Sequence, residues 1–158
     1  MEKKSIIHLL KDLMQLDIDA WHAYGEAIEK IDTALDIRDT FDRFRGDHHR
    51  HVTEISARIR DLGEEPPEFS PDFKGHIIQG FTALRSITGT KGALAAMETN
   101  EKLTNRRYAD ALETEGIPSD IHALLEANYK DEQEHLRYIK DRYDYFFREG
   151  GSGRSQYY

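Results

Sequence analysis

The sequence predicts an all-α chain folded as one antiparallel four-helix bundle, and three observations carry that prediction. Apolar residues recur at steps of three and four along four long segments, the four prolines fall between those segments, and two of the three junctions are short. A chain of 158 residues, 38% of them apolar, can fill one elongated core and fits a single domain.

The first segment runs from about Ser5 to Thr33, and its inward stripe reads Leu10, Leu13, Asp17, Ala20, Tyr24, Ala27 and Ile31. The second runs from about Ile37 to Leu62, with Ile37, Phe41, Phe44, His48, His51, Ile55, Ile59 and Leu62 facing inward. A short junction near Asp32 to Asp36 makes these two antiparallel neighbours. The connection that follows, 63–90, is different. Pro66, Pro67 and Pro71 forbid a regular helix at its start, and GHIIQGFTALRS then reads as a short extra helix lying across the bundle. One long crossover of this kind sets the second and third helices parallel.

The third segment, from about Lys91 to Glu115, turns Leu94, Met97, Glu101, Thr104, Tyr108 and Ala111 inward. After the short EGIPSD junction the fourth, from about Asp120 to Arg148, does the same with Ile121, Leu125, Asn128, Glu132, His135, Ile139 and Tyr143. The bundle domain therefore spans 1–148. The Gly/Ser-rich end, 149–158, reads as a flexible tail.

Each stripe is apolar except near its middle. The first helical pair also maps onto the second at a constant offset of 84 residues, which puts Asp17 on Glu101, Tyr24 on Tyr108, Asp47 on Asp131, His48 on Glu132 and His51 on His135. An approximate two-fold axis between two such hairpins would bring Asp17, His48 and His51 opposite Glu101, Glu132 and His135. Ionised carboxylates in an apolar interior cost several kcal/mol each unless paired or coordinated, and no lysine or arginine lies on the stripes nearby. A divalent metal supplies the missing charge. His48 with His51, and Glu132 with His135, are three residues apart, so each pair projects from one side of its helix and can share an ion. Locally, Asp17, His48 and His51 read as a two-histidine, one-carboxylate site, with Glu101, Glu132 and His135 as a second half.

The segment DEQEHL, 131–136, with its Glu-x-x-His at Glu132 and His135, and Glu101 seven residues before a tyrosine, resembles the ferritin-like di-metal carboxylate proteins, such as bacterioferritin and rubrerythrin. Across residues 5 to 145 the texture is closer still to an uncharacterised bacterial branch of ferritin-like domains, whose halves begin with a carboxylate followed by a tyrosine and alanine. The resemblance implies Asp17 and Glu101 as terminal ligands, His51 and His135 as the histidine of each half, and Glu132 as a bridging carboxylate. Two positions depart from the pattern. His48 stands where the family has its second bridging glutamate, and Asp17 is one methylene shorter than the usual ligand. Two ions are implied, iron first, with manganese or zinc as alternatives that the same oxygen and imidazole ligands suit.

Three functions follow as expectations: a metal-dependent oxidoreductase of ferroxidase or peroxidase type, a metal-storing subunit without turnover, and a metal-free structural or interaction bundle linked to stress. The remaining residues near the stripe have plainer readings. Asp47, His49, Glu54, Glu98 and Asp131 lie beside it, solvated or supporting the ligands from behind; Tyr24 and Tyr108 pack in the core with a hydrogen bond to Asp17 or Glu101 within reach; His8, His22, His76 and His122 read as surface histidines, and Trp21 and the Tyr143, Tyr145, Phe146 and Phe147 cluster as packing, the last also suiting a dimer surface.

Composition excludes other classes. Without cysteine there is no disulfide, thiolate metal site or cysteine nucleophile. A net charge of −8 with the signs interspersed offers no basic face to nucleic acid, and there is no phosphate-binding glycine loop. The N-terminal stretch is broken by Lys11 and Asp12, so it reads as neither signal peptide nor membrane span. A cytoplasmic homodimer or larger homo-oligomer is the expectation.

Overall fold

The computed structural model describes residues 1–69, 84 and 86–148, with 147 and 148 described by backbone alone. Among them are four helices and no strand: α1 (Lys3–Glu29), α2 (Leu35–Asp61), α3 (Gly89–Leu112) and α4 (Ser119–Arg148). None is long and apolar enough to cross a membrane. The short helix expected in the crossover and the expected tail lie outside the described residues.

Helix ends follow local chemistry. The α1 pattern was expected to run to Thr33, but the helix stops at Glu29, where the amide of Lys30 turns back to the Ala27 carbonyl. Asp36 in the first turn of α2 and Arg58 and Arg60 in its last complement the helix dipole. Gly63, at φ +90°, ends α2: its amide bonds Arg60 O at 2.9 Å while the amide of Glu64 reaches Ile59 O at 3.2 Å, a paired closure that requires the left-handed backbone glycine adopts without strain.

Helix α1 packs against α2 and α3, and α4 packs against α3 and α2, so the helices form a ring in the order α1, α2, α4, α3. Contacts fix the directions. Asp17 meets Tyr108 while Tyr24 meets Glu101, so α1 and α3 are antiparallel. His51 meets Asp131 while Asp47 meets His135, so α2 and α4 are as well. With α1 and α2 also antiparallel, α2 and α3 run the same way.

The core falls into two apolar layers. One contains Leu10, Leu13, Ile55, Ile59, Tyr108, Ile121 and Leu125; the other contains Tyr24, Ala27, Phe41, Phe44, Leu94, Met97 and Ile139. Each fully buried Leu, Ile or Phe contributes about 1.5–3 kcal/mol. Between the layers sits a buried polar stratum: Asp17, His48, His51, Glu101, Glu132 and His135 are all 0–1% exposed. All the stripe residues are buried except Leu62 and Tyr143, which are half-buried near helix ends.

Candidate metal centre

The six residues singled out by the sequence converge. Their atoms form two overlapping groups, Asp17, His48, His51 and Glu132 in one and His48, Glu101, Glu132 and His135 in the other, with the ligating atoms of each group within 4.8 Å of one another. Only His48 and Glu132, counterparts in the repeat, belong to both.

Distances define the halves. His48 Nδ1 is 2.7 Å and His51 Nδ1 3.0 Å from Asp17 Oδ1. Glu132 Oε1 lies 3.2 Å from His51 Nδ1 and 3.4 Å from His48 Nδ1, while its Oε2 turns to the other half, 3.5 Å from His135 Nδ1. Glu101 Oε1 stands 3.3 Å from both His135 Nδ1 and His48 Nε2.

Around this centre the repeat is visible as exchanged partners. Tyr24 donates its hydroxyl to Glu101, and Tyr108 donates to Asp17 Oδ2 at 2.5 Å, each tyrosine serving the carboxylate of the other hairpin. Outward, His135 Nε2 bonds Asp47 Oδ2 at 2.8 Å and His51 Nε2 bonds Asp131 Oδ2 at 2.9 Å. Arg50 then spans the α2/α4 seam, donating to Asp47 Oδ1 at 3.1 Å and to Asp131. A histidine whose Nε2–H is given to a carboxylate keeps its Nδ1 lone pair for an ion, which is how metal-bound histidines are usually oriented.

Electrostatics separate the three carboxylates. Burial alone would raise all of them. For Asp17 it is overcome by the His51 charge and by hydrogen bonds from His48 and His51, and the carboxyl falls to about 2. Glu101 is likewise held well below its usual range, burial being outweighed by His135 and His48. Glu132 goes the other way: burial prevails and raises it. Besides burial, the Glu101 charge raises it, and together they outweigh His48, His135 and His51. Burial works against the imidazolium of His48, yet Glu132, Asp17 and Glu101 lift it to about 9; His51 and His135 are also raised, mainly by Asp17 and Glu101 respectively. Burial and the facing carboxylates push both tyrosine hydroxyls well up, so they stay protonated donors.

A divalent ion fits this donor set. Both Glu132 oxygens and His135 Nδ1 are buried without hydrogen-bond partners, an arrangement that buried polar groups rarely tolerate unless something else satisfies them.

Of the flanking residues, Asp47 and Asp131 bond His135 and His51 from outside the cluster, whereas Glu54 pairs with Arg50 and Glu98 with Lys102 at the surface. His49 lies against the Phe69 ring, with centroids 5.2 Å apart. His8 is exposed, but His22 and His122 are half-buried rather than simple surface residues, and His76 lies outside the described residues. Arg50, which joins Asp47 to Asp131, is a member of this network that periodicity could not find; its place three residues after Asp47 was the available signal.

A family model described as a domain of unknown function, DUF2383, matches residues 5–114, ending before the helix that carries Glu132 and His135. No curated protein matches. The solved structure of a dodecameric thioferritin, the bacterioferritin-related protein from Bacteroides fragilis, superposes with a TM-score of 0.85 at 18% identity, covering 96% of this chain and 92% of that one. The fold is therefore ferritin-like.

Proposed function

The chain belongs to the DUF2383 family of domains of unknown function, and from its ferritin-like bundle we propose a metal-binding protein that holds two ions in its core. Asp17, His48 and His51 would hold one ion, Glu101 and His135 the other, with Glu132 between them. The observation that carries this reading is Glu132: a fully buried carboxylate with two unbonded oxygens, one turned to each half.

Iron is the ion proposed, with manganese or zinc as alternatives; a bound iron or manganese pair would supply a redox centre for dioxygen or peroxide, whereas zinc would not. The chain's own residues do the rest. Asp47 and Asp131 orient His135 and His51, Tyr24 and Tyr108 hold the terminal carboxylates, and the two apolar layers exclude water. The proposal extends to a cytoplasmic homo-oligomer, as the similar thioferritin is dodecameric.

A second reading, a metal-free structural or interaction bundle, has one observation in its favour. Three buried carboxylates face three imidazoles whose proton affinity they raise, so protons alone can neutralise the centre. Elemental analysis of protein purified without chelator separates the two: about two ions per chain supports the first reading, and metal-free protein that also refuses added ferrous, manganous and zinc ions overturns it. Peroxide consumption with added ferrous iron then distinguishes turnover from binding alone, and size-exclusion chromatography reads the assembly.

A further inference from the structure

The three buried histidines are not equivalent. His51 and His135 each commit Nε2 to an aspartate outside the centre, Asp131 and Asp47, and so can offer only Nδ1 inward. His48 has no such outward partner among the described residues. Its Nδ1 faces Asp17 Oδ1 at 2.7 Å and Glu132 Oε1 at 3.4 Å, and its Nε2 faces Glu101 Oε1 at 3.3 Å. The ring stands between the other two imidazoles, with centroids 5.6 Å from His51 and 5.1 Å from His135, and Tyr24 lies along it at 5.4 Å and 30°. It is fully buried, so neither nitrogen can turn to water.

The repeat gives the same answer from sequence. His48 is the counterpart of Glu132, and these two alone are shared by both groups of ligating atoms. Counterparts that flank the pseudo-two-fold axis and belong to both groups are placed to bridge them. In the ferritin-like pattern both bridging positions are glutamates; here one is an imidazole with two nitrogens aimed at two sites.

We propose that His48 bridges the two ions, giving Nδ1 to the one held with Asp17 and His51 and Nε2 to the one held with Glu101 and His135. This rests on the reading that the core holds two ions. On loading, the ring gives up both N–H protons to solvent and binds as an imidazolate, while Glu132 offers one oxygen to each half. The lone pairs of an imidazolate diverge, whereas those of a carboxylate can converge. His48 therefore holds the ions further apart than a second glutamate would, and it adds one negative charge that offsets the missing carboxylate.

Cobalt(II) provides the test, because its optical and electron paramagnetic resonance spectra report both site occupancy and coupling between ions. The whole chain, stripped with chelator and desalted, is titrated alongside His48→Gln and His48→Glu. The expected result is two ions in the wild type with weak spin coupling. His48→Gln should weaken binding in both halves by about tenfold or more and leave isolated-ion signals. His48→Glu should restore two ions with stronger coupling. Two uncoupled ions in the wild type, or a His48→Gln protein weakened only in the half with Asp17, would overturn the bridge while leaving the metal-binding function standing. A wild type that takes up no cobalt, and no iron, manganese or zinc, overturns both. The wild-type spectrum decides the matter even if the variants fold poorly.

Discussion

His135 and Asp47 lie on different helical hairpins and are joined Nε2 to Oδ2 at 2.8 Å, and the repeat places His51 against Asp131 at 2.9 Å in the same way. Each aspartate thus fixes the ring orientation of a histidine from the opposite hairpin. Removing such a partner from a metal-bound histidine typically costs 10–100-fold in affinity. Asp47→Ala should weaken the half that contains His135 by about that factor and spare the half with His51; Asp131→Ala should do the reverse. Arg50 holds both aspartates but is half-exposed, so Arg50→Ala should weaken both halves, by about tenfold or less. A two-step zinc titration by calorimetry reads this directly. Equal losses in both steps for Asp47→Ala would show that the assignment of halves is wrong.

The exchanged tyrosines give a stability prediction. Tyr24 and Tyr108 each donate to a fully buried carboxylate, and a hydrogen bond to a charged group is worth about 1.5–3 kcal/mol. Tyr24→Phe and Tyr108→Phe should each destabilise chelated protein by about that amount, measured by urea unfolding, and by similar amounts because the repeat makes the two bonds equivalent. Tyr108 also receives Asn128 Nδ2 at 3.5 Å, so any asymmetry should make its loss the larger. A change below about 0.5 kcal/mol for both would mean the hydroxyls are not holding the carboxylates.

Why these groups were legible in the sequence is itself physical. A residue that interrupts an apolar stripe has no solvent to face, so Asp17, His48, His51, Glu101, Glu132 and His135 are legible as buried from the sequence alone, and the 84-residue offset sets the first three opposite the last three. Asp47 and Asp131 sit one position before His48 and Glu132, off the stripe and at the α2/α4 seam. At such a position periodicity cannot separate a solvated aspartate from one that bonds a buried ring, and only the packing of two helices decides. The end of α1 was misplaced for a related reason: the apolar period persists through Ile31, which is buried, although the helix has already stopped at Glu29.

Glu132 and Glu101 should respond oppositely to the same substitution. A buried acid whose pKa is raised is held less firmly as an anion in the folded protein than in the unfolded chain, so replacing it with neutral glutamine removes little stabilisation. Glu132→Gln should therefore change the stability of chelated protein by less than about 1 kcal/mol while abolishing occupancy of at least one half. Glu101, held well below its usual range by His135 and His48, is needed as a charge, and Glu101→Gln should cost about 3 kcal/mol by stranding those imidazoles. Urea midpoints and metal stoichiometry measured on both variants check the contrast. Equal destabilisation would assign Glu132 to the structural network rather than to an ion.

Stability of the metal-free protein should fall as pH rises above neutrality. His48 titrates near 6.5 when unfolded and about 9 when folded, because Glu132, Asp17 and Glu101 outweigh the burial that disfavours its charge. A group raised in this way stabilises the fold fully below its unfolded value, and the contribution is lost as pH climbs through the folded one. His51 and His135, raised in the same direction, add to the slope. Asp17 does not oppose it, since its carboxyl, lowered from 3.8 to about 2, contributes above 3.8 and loses that only as pH drops toward 2. Bound ions displace the same protons, so metal affinity should rise over the interval in which the chelated fold weakens. Melting temperatures of chelated and zinc-loaded protein between about pH 6 and pH 9 test the pair of trends. A chelated protein whose melting temperature stays level across that interval would mean the imidazoles are already neutral in the fold, overturning the charged pairing of His48 with Asp17 and Glu101.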